Sequence, residues 1–129
     1  MVLLGRLITI LGVYETRVVG ERPAEDAMIR SVGMHDPASE LLDKGDILLA
    51  VGVSDAERAV ELAVEAGALA VVVRTGEKAD PPWPAVDLAR RHGIVLLVVD
   101  PAVSWGQITG IVHGMVLEGG ETEAGRGPS

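Results

Sequence analysis

Three continuous apolar runs, separated by two segments with helical spacing, organise the chain. The runs cover residues 47–51, 69–73 and 94–99 and are rich in branched apolar residues. Uninterrupted runs of this length that alternate with helices are typical of parallel strands covered by helices on both faces. The pattern therefore predicts a β-α-β-α-β core.

The two helices inside that core have clear start and stop signals. A capping box at residues 54–57 precedes a helix over residues 55–66, and Gly67 ends it. The next helix runs from about residue 84 to residue 92, directly before Gly93. Both helices place alanines on one face, which allows them to pack close to the sheet.

Shorter elements precede the core. Apolar residues at helical spacing over residues 3–11 predict an opening helix. Residues 16–19 and 29–34 read as two strands, and we expect them to extend the sheet at one side, with antiparallel pairing as one option. Asp36 is placed to cap a short helix over residues 37–43.

A last helix is predicted over residues 104–117, where Ser104 and Gln107 form a second capping box. Its buried stripe consists of Ile108, Ile111, Val112 and Met115. On nearly the opposite side lie Gly106, Gly110 and Gly114.

Each glycine inside a helix costs about 0.5–1 kcal/mol relative to alanine, so a shared glycine face calls for an explanation. Close contact with another part of the same domain, an oligomer interface with another subunit, and chance all remain open. The segment after this helix has no apolar anchor, so the predicted organisation is a domain over residues 1–118 and a disordered, linker-like tail over residues 119–129.

Composition narrows the class of protein. The chain has 129 residues, 48% of them hydrophobic, which suits one domain with a proper core. We therefore expect a single α/β domain, in which helices flank a mostly parallel, three-layer sheet of about five strands. The absence of cysteine excludes disulfides and thiolate sites and fits a reducing cytoplasm.

Charge and hydropathy limit the partners. The net charge is -8, from 19 acidic and 11 scattered basic residues, so we expect no direct nucleic acid binding by this chain. The amino terminus lacks the basic region of a signal peptide, and the longest uncharged run, residues 101–117, is too polar and slightly short for a membrane span. These features predict a soluble, cytoplasmic protein that does not associate with membranes.

No residue set in the sequence specifies a reaction. The loop at residues 52–57 follows a strand but matches neither phosphate-binding glycine motif. The histidines, His35, His92 and His113, lie too far apart for a zinc motif. Ser54 and Ser104 are better explained as helix caps than as nucleophiles. We therefore predict no catalytic residue, metal or cofactor, and no enzyme activity for this chain.

A ligand crevice is the remaining candidate site. In an open parallel sheet, ligands bind beyond the carboxyl ends of the strands. The residues predicted at those ends are His35, Asp36, Gly52, Ser54, Arg74, Thr75 and Asp100. Arg74 and Asp100 leave neighbouring strands, so they either pair with each other or Arg74 holds an anionic or carbonyl group of a ligand.

Several segments together carry a family resemblance. They are residues 17–21 (RVVGE), 29–42 (IRSVGMHDPASELL), 44–52 (KGDILLAVG), 65–68 (EAGA) and 91–97 (RHGIVLL). In this order they resemble the N-terminal domain of the PucR-like (purine catabolism regulator) family of bacterial transcription factors. The likeness covers nearly all of residues 1–118, and its motifs are specific only as an ensemble.

Two features depart from the family pattern. Residues 50–51 (AV) stand where the family often has hydroxylated residues, which puts ligand contacts from those hydroxyls in doubt. The chain also lacks the GGDEF-like middle segment and the helix-turn-helix that would carry DNA binding in such a regulator.

The resemblance implies a function in transcription regulation. It implies a ligand-sensing domain that binds a small-molecule effector, forms a homo-oligomer, or does both. A second resemblance, through residues 45–47, 66–68 and 93–95, is to DRTGG-type regulatory domains and the N-terminal domains of Mur ligases. It implies the alternative function, an accessory domain of an enzyme.

Overall fold

A five-stranded, mostly parallel sheet forms the centre of the molecule. The structure, a computed structural model, describes residues 1–35, 43–53, 55–75 and 81–126. Within them, the elements in chain order are β1 (Val2–Leu3), α1 (Leu4–Val13), β2 (Thr16–Val19), β3 (Met28–Ile29), β4 (Val32–Met34), β5 (Ile47–Leu49), α2 (Ala56–Ala66), β6 (Ala70–Arg74), α3 (Trp83–Arg91), β7 (Val95–Val99) and α4 (Trp105–Arg126). The sheet order is β2-β7-β6-β5-β4, and only β2 runs antiparallel to its neighbour.

Helices cover both faces of this sheet, as the continuous apolar runs of the central strands predict. One face, which includes Leu49, Val72 and Leu97, packs against α1 and α4. The other, which includes Val71 and Leu96, packs against α2 and α3. The predicted fold class, a single three-layer α/β domain, is confirmed.

Small residues set the distance between α2 and the sheet. Ala59 and Ala63 are fully buried on the inner face of this helix. Gly67 terminates the helix, as predicted, and adopts the left-handed conformation with a φ of 70°. Its start differs from the capping box expected at residues 54–57: the Asp55 side chain accepts a hydrogen bond from the Glu57 N–H at 3.0 Å. Ser54 itself lies outside the described residues.

The outer faces of α2 and α3 carry ion pairs. On α2, Nη1 of Arg58 lies 3.5 Å from Oε1 of Glu61. On α3, Asp87 accepts from Arg90 at 2.6 Å and from Arg91 at 3.1 Å. The hydrogen bond from Arg90 and the positive charge of both arginines lower the pKa of Asp87 below its ordinary value. This layer therefore presents charged side chains to solvent.

The single strand predicted over residues 29–34 is wrong: two separate strands occupy this stretch. Strand β3 pairs with β1 in a small antiparallel sheet, while β4 joins the main sheet. The break falls at Arg30 and Ser31, where both residues form hydrogen bonds with Asp46. Its carboxylate accepts from the Arg30 N–H at 2.9 Å, and its own N–H donates to Ser31 Oγ at 3.1 Å.

The expectation that β2 and β4 lie together at one side of the sheet is also wrong. Strand β2 pairs with β7 at one edge, and β4 pairs with β5 at the other. The connection between them passes through β3, whose Ile29 is buried in the same cluster as Leu4 and Leu7 of α1. The chain therefore crosses the α1 face before it re-enters the sheet.

Helix α4 is longer than its apolar stripe predicts. Its buried residues are Ile108, Val112 and Val116, while Ile111 and Met115 are half-buried at the edge of the stripe. The helix continues to Arg126. The domain boundary at residue 118 and the disorder of residues 119–129 stay predictions.

The short helix predicted over residues 37–43, with Asp36 as its cap, lies almost wholly outside the described residues. In the part of the chain that the structure describes, no helix is long and apolar enough to cross a membrane.

Two glycines allow a close main-chain crossing beside the edge strand β4. A Cβ added at Gly33 would overlap the Asp43 carbonyl oxygen and lie 2.9 Å from Gly45 N. One added at Gly45 would lie 2.6 Å from the Val32 carbonyl carbon. Since the obstructing atoms belong to the main chain, no side-chain rotation can relieve the overlap. Only glycine fits at either position without moving the backbone.

We therefore expect Gly33→Ala and Gly45→Ala each to lower the free energy of unfolding by about 1–3 kcal/mol, the usual range for overpacking. Gly12→Ala is the matched control, because a Cβ at Gly12 would meet nothing within 4 Å. This control should be neutral or slightly stabilising. Urea unfolding followed by circular dichroism measures all three, and a wild-type midpoint for Gly45→Ala would contradict the crossing.

Candidate functional site

The carboxyl ends of the four parallel strands meet at one edge of the sheet. The register pairs Met34 with Leu49, Leu49 with Val72, and Arg74 with Val99. The residues that end or follow these strands therefore lie along one line. Of the predicted crevice residues, the structure brings these to that edge: His35, Gly52, Arg74, Thr75 and Asp100. Asp36 and Ser54 lie outside the described residues.

The first half of this edge is built from main-chain turns. The His35 N–H donates to the Leu49 carbonyl at 2.9 Å, which fixes the exit from β4. After β5, the chain turns through Gly52, whose φ of 79° suits glycine. The turn closes with a bond from the Val53 N–H to the Ala50 carbonyl at 3.3 Å. His35 is half-buried and Gly52 is exposed, so both border the open side of the edge.

Arg74, the last residue of β6, binds the turn that follows β7. Its Nε donates to the Val103 carbonyl at 2.8 Å, and its Nη2 donates to the Pro101 carbonyl. The half-buried guanidinium thus fastens the end of one strand to the loop after the next. From the sequence, Arg74 could form an ion pair with Asp100 or bind a carbonyl or anionic group of a ligand. In the structure, its guanidinium donates to two main-chain carbonyls of the chain itself.

The turn that Arg74 holds leads directly into α4. Asp100 Oδ1 accepts from the Ala102 N–H at 2.8 Å, and the Asp100 carbonyl accepts from the Val103 N–H at 3.0 Å. Ser104 Oγ then accepts from the Gln107 N–H at 3.2 Å, which confirms the predicted cap. The Asp100 N–H donates to the Glu15 carbonyl at 3.0 Å. The start of α4 is therefore tied to the crevice edge through a continuous set of hydrogen bonds.

Asp46 lies in the segment shared by both family resemblances, residues 45–47, and forms hydrogen bonds to neighbouring strand entries. Besides its bonds at the β3–β4 break, Asp46 accepts through its carbonyl from the Leu69 N–H at 2.7 Å and from the Ala70 N–H at 3.2 Å. The residue links the entries of β4, β5 and β6, at the edge opposite to the crevice. The motif therefore has a structural role in this fold. It does not distinguish a PucR-like domain from a DRTGG-type or Mur-ligase domain.

The histidines lie on three different elements. His35 follows β4, His92 caps the carboxyl end of α3, and His113 lies exposed on α4. Within residues 1–35, 43–53, 55–75 and 81–126, no group of three or more His, Cys, Asp or Glu side chains is arranged to hold a metal ion.

The glycine face of α4 does not pack against the described part of the domain. A Cβ added at Gly110 or Gly114 would meet nothing within 4 Å, and one at Gly106 would reach only Ser104 Oγ, at 4.0 Å. Close packing within the domain, one of the explanations that the sequence left open, is therefore wrong for the residues described. The subunit interface stays a prediction.

Comparison of the chain with protein-family models, with curated proteins and with solved structures finds no match. Functional assignment therefore rests on the residues of this chain and on the resemblance carried by its motifs.

The Arg74 contacts generate a prediction about α4. Arg74→Ala should lower the free energy of unfolding by about 1–2 kcal/mol, because it removes charge-assisted hydrogen bonds and leaves carbonyls unpaired. It should also speed amide hydrogen exchange at Val103 and through the first turn of α4. Exchange measured by mass spectrometry, together with urea unfolding, tests both effects.

Arg58→Ala is the control, because Arg58 makes an exposed ion pair worth less than about 1 kcal/mol. It should leave exchange in α4 unchanged. Equal exchange near Val103 in the Arg74→Ala variant and the wild type would show that the guanidinium does not hold this turn.

Proposed function

We propose that this chain is the sensory module of a bacterial transcriptional regulator, similar to the N-terminal domain of PucR-like proteins. In this proposal it binds a small metabolite at the carboxyl edge of its sheet and associates with a second copy. DNA binding belongs to another segment or another protein. The motif resemblance and the position of the crevice support the proposal.

One observation carries it: Arg74 joins the crevice edge to the start of α4. A sensor must convert an event at one site into a change at another, and this requires contacts that differ between two states. Arg74 donates to the turn at residues 101–103 from the end of β6. A ligand that alters this turn would therefore act directly on the first turn of α4.

The residues at the edge indicate what kind of metabolite would fit. The described residues at this edge include an arginine, a histidine, a threonine, an aspartate and main-chain groups of the turns. Because this set contains donors together with a carboxylate, it favours a small polar molecule that carries both carbonyl oxygens and N–H groups. Purine catabolites have these features, and they are the first compounds to screen.

We expect a purine-pathway or similar metabolite to raise the melting temperature of the chain. A ligand at a hundred times its dissociation constant adds about 2.7 kcal/mol of stability. His35→Ala should reduce this response, because His35 borders the crevice, while leaving the ligand-free melting temperature near that of the wild type. Differential scanning fluorimetry against a metabolite panel measures both.

His92→Ala is the matched control, since His92 lies at the end of α3, at the opposite edge of the sheet. It should respond to ligand as the wild type does. A panel of carboxylates and purine intermediates that produces no shift, or a hit that both variants retain in full, would count against the crevice.

A second expectation concerns nucleic acid. With 19 acidic and 11 basic residues, the chain should not retain a defined DNA or RNA duplex at physiological salt. Electrophoretic mobility shift at protein concentrations of at most about 1 µM, the lower end of non-specific dissociation constants of about 1–100 µM, tests this. Specific retention of a duplex by the isolated chain would contradict this expectation, because it would show that this chain itself binds nucleic acid.

A further inference from the structure

Two neighbouring strands of the sheet, β6 and β7, send the chain to opposite faces. After β6 the chain continues into α3, whose Ala85 packs on the face that contains Leu96. After β7 it continues into α4, whose Ile108 packs on the face that contains Leu97. In open α/β sheets, ligands enter where neighbouring connections diverge in this way. The gap between the two loops, which Arg74 bridges, is therefore the part of the crevice edge best placed to receive a ligand.

Apolar side chains follow the same edge on the side of α4. Met34 ends β4, Val51 follows β5, Val103 belongs to the turn after β7, and Trp105 begins α4. All four are half-buried and pack against the buried cluster between the sheet and helices α1 and α4. We call these four residues the apolar rim. The crevice edge thus has an apolar side as well as the polar groups described above.

Trp105 is the largest side chain of the apolar rim. It lies three residues before Ile108, which is fully buried, and therefore on the inner side of α4. Helical side chains lean toward the amino end of their helix, and the amino end of α4 lies at the crevice edge. The indole therefore covers the end of the buried cluster and, because it is half-buried, also borders solvent.

The few aromatic residues of the chain support a role for this indole. The chain has one tyrosine, two tryptophans and no phenylalanine, and its largest fully buried side chains are leucine, isoleucine and valine. Tyr14, which is also half-buried, precedes Glu15, whose carbonyl accepts from the Asp100 N–H at 3.0 Å. Both half-buried aromatic residues thus lie at the crevice edge, in a domain whose core is packed without aromatic rings.

We propose that Trp105 is the specificity-determining residue of the crevice and that it selects a metabolite with a flat, conjugated ring. The ring would stack on the indole, while its carbonyl and N–H groups face the polar groups at the strand ends, among them His35. This inference rests on the proposed function, because it requires a ligand at the carboxyl edge. It adds the chemical class of the ligand and the residue that recognises it.

The position of Trp105 also gives the bound ring a direct contact with α4. Trp105 is the first residue of this helix, and the turn just before it is held by Arg74 through the carbonyls of Pro101 and Val103. A ring stacked on the indole would therefore order the same helix start that the guanidinium holds. Binding and the state of α4 would be coupled through adjacent residues.

The two tryptophans make this proposal measurable by fluorescence. Trp83 begins α3 in the other helical layer and is 69% exposed, so Trp83→Phe leaves Trp105 as the single reporter. The probes are hypoxanthine, uracil and dihydrouracil; the last two carry the same carbonyl and N–H groups, but only uracil is flat and conjugated. We expect saturable quenching of Trp105 by hypoxanthine and uracil at up to about 10 mM, the range suited to ligands of this size. In Trp105→Phe, which retains only Trp83, no saturable quenching should occur.

Substitutions at Trp105 separate stacking from packing. Trp105→Leu keeps an apolar side chain over the buried cluster but removes the ring, so it should stay folded by circular dichroism and bind hypoxanthine at least about fivefold more weakly. Trp105→Phe keeps a ring and should bind within about threefold of the wild type. Trp83→Phe is the control and should not change the affinity. Isothermal titration calorimetry measures all three, and dihydrouracil should bind the wild type at least about fivefold more weakly than uracil does.

Three results would overturn this proposal. One is the absence of binding by both hypoxanthine and uracil, and another is equal affinity for uracil and dihydrouracil. The third is a ring compound that binds without quenching Trp105 or that Trp105→Leu binds as tightly as the wild type does. If a metabolite without a conjugated ring raises the melting temperature and His35→Ala reduces this response, the crevice stands and only the role of Trp105 falls. If no compound binds, the crevice itself is rejected.

Discussion

Burial of the central strands on both faces is the constraint on which the structure depends. Every residue of β5 and β7, and residues 70–73 of β6, is at most 6% exposed. Strands of this kind need a helical layer on each side, which α1 with α4 and α2 with α3 provide. Since no polar side chain can be accommodated within these strands, the polar groups available for function lie at their ends.

The same constraint explains which parts of the fold could be predicted from the sequence. The runs that become β5, β6 and β7 have a composition that fits only buried strands, so their identity and parallel arrangement follow from pattern alone. The pattern is weak in residues 29–34, where a short apolar stretch fits one strand as well as two. There Asp46, which is distant in sequence, decides the outcome through its bonds to Arg30 and Ser31.

The candidate site was predictable in position but not in its contacts. Topology places the strand ends at one edge, and the residues of the crevice follow from that. The partners of Arg74, however, are the carbonyls of Pro101 and Val103, and a sequence does not reveal where main-chain carbonyls point. The only sign of these contacts in the sequence is that Arg74 ends one strand while the loop after the neighbouring strand begins with Asp100 and Pro101. The glycine face of α4 was similarly visible, but its openness depended on the packing of α1 and α4.

The antiparallel strand β2 links the beginning of the domain to its end. Thr16 pairs with Val99, and Leu4, Leu7 and Leu11 of α1 share a buried cluster with Ile108 and Val112 of α4. On the ribosome, β2 therefore has no partner strand, and α1 cannot complete its buried cluster, until β7 and α4 have been synthesised. Pairing of such distant segments slows folding and leaves apolar surface exposed meanwhile. This domain should therefore fold as one unit, and only after its last strand and helix have been synthesised.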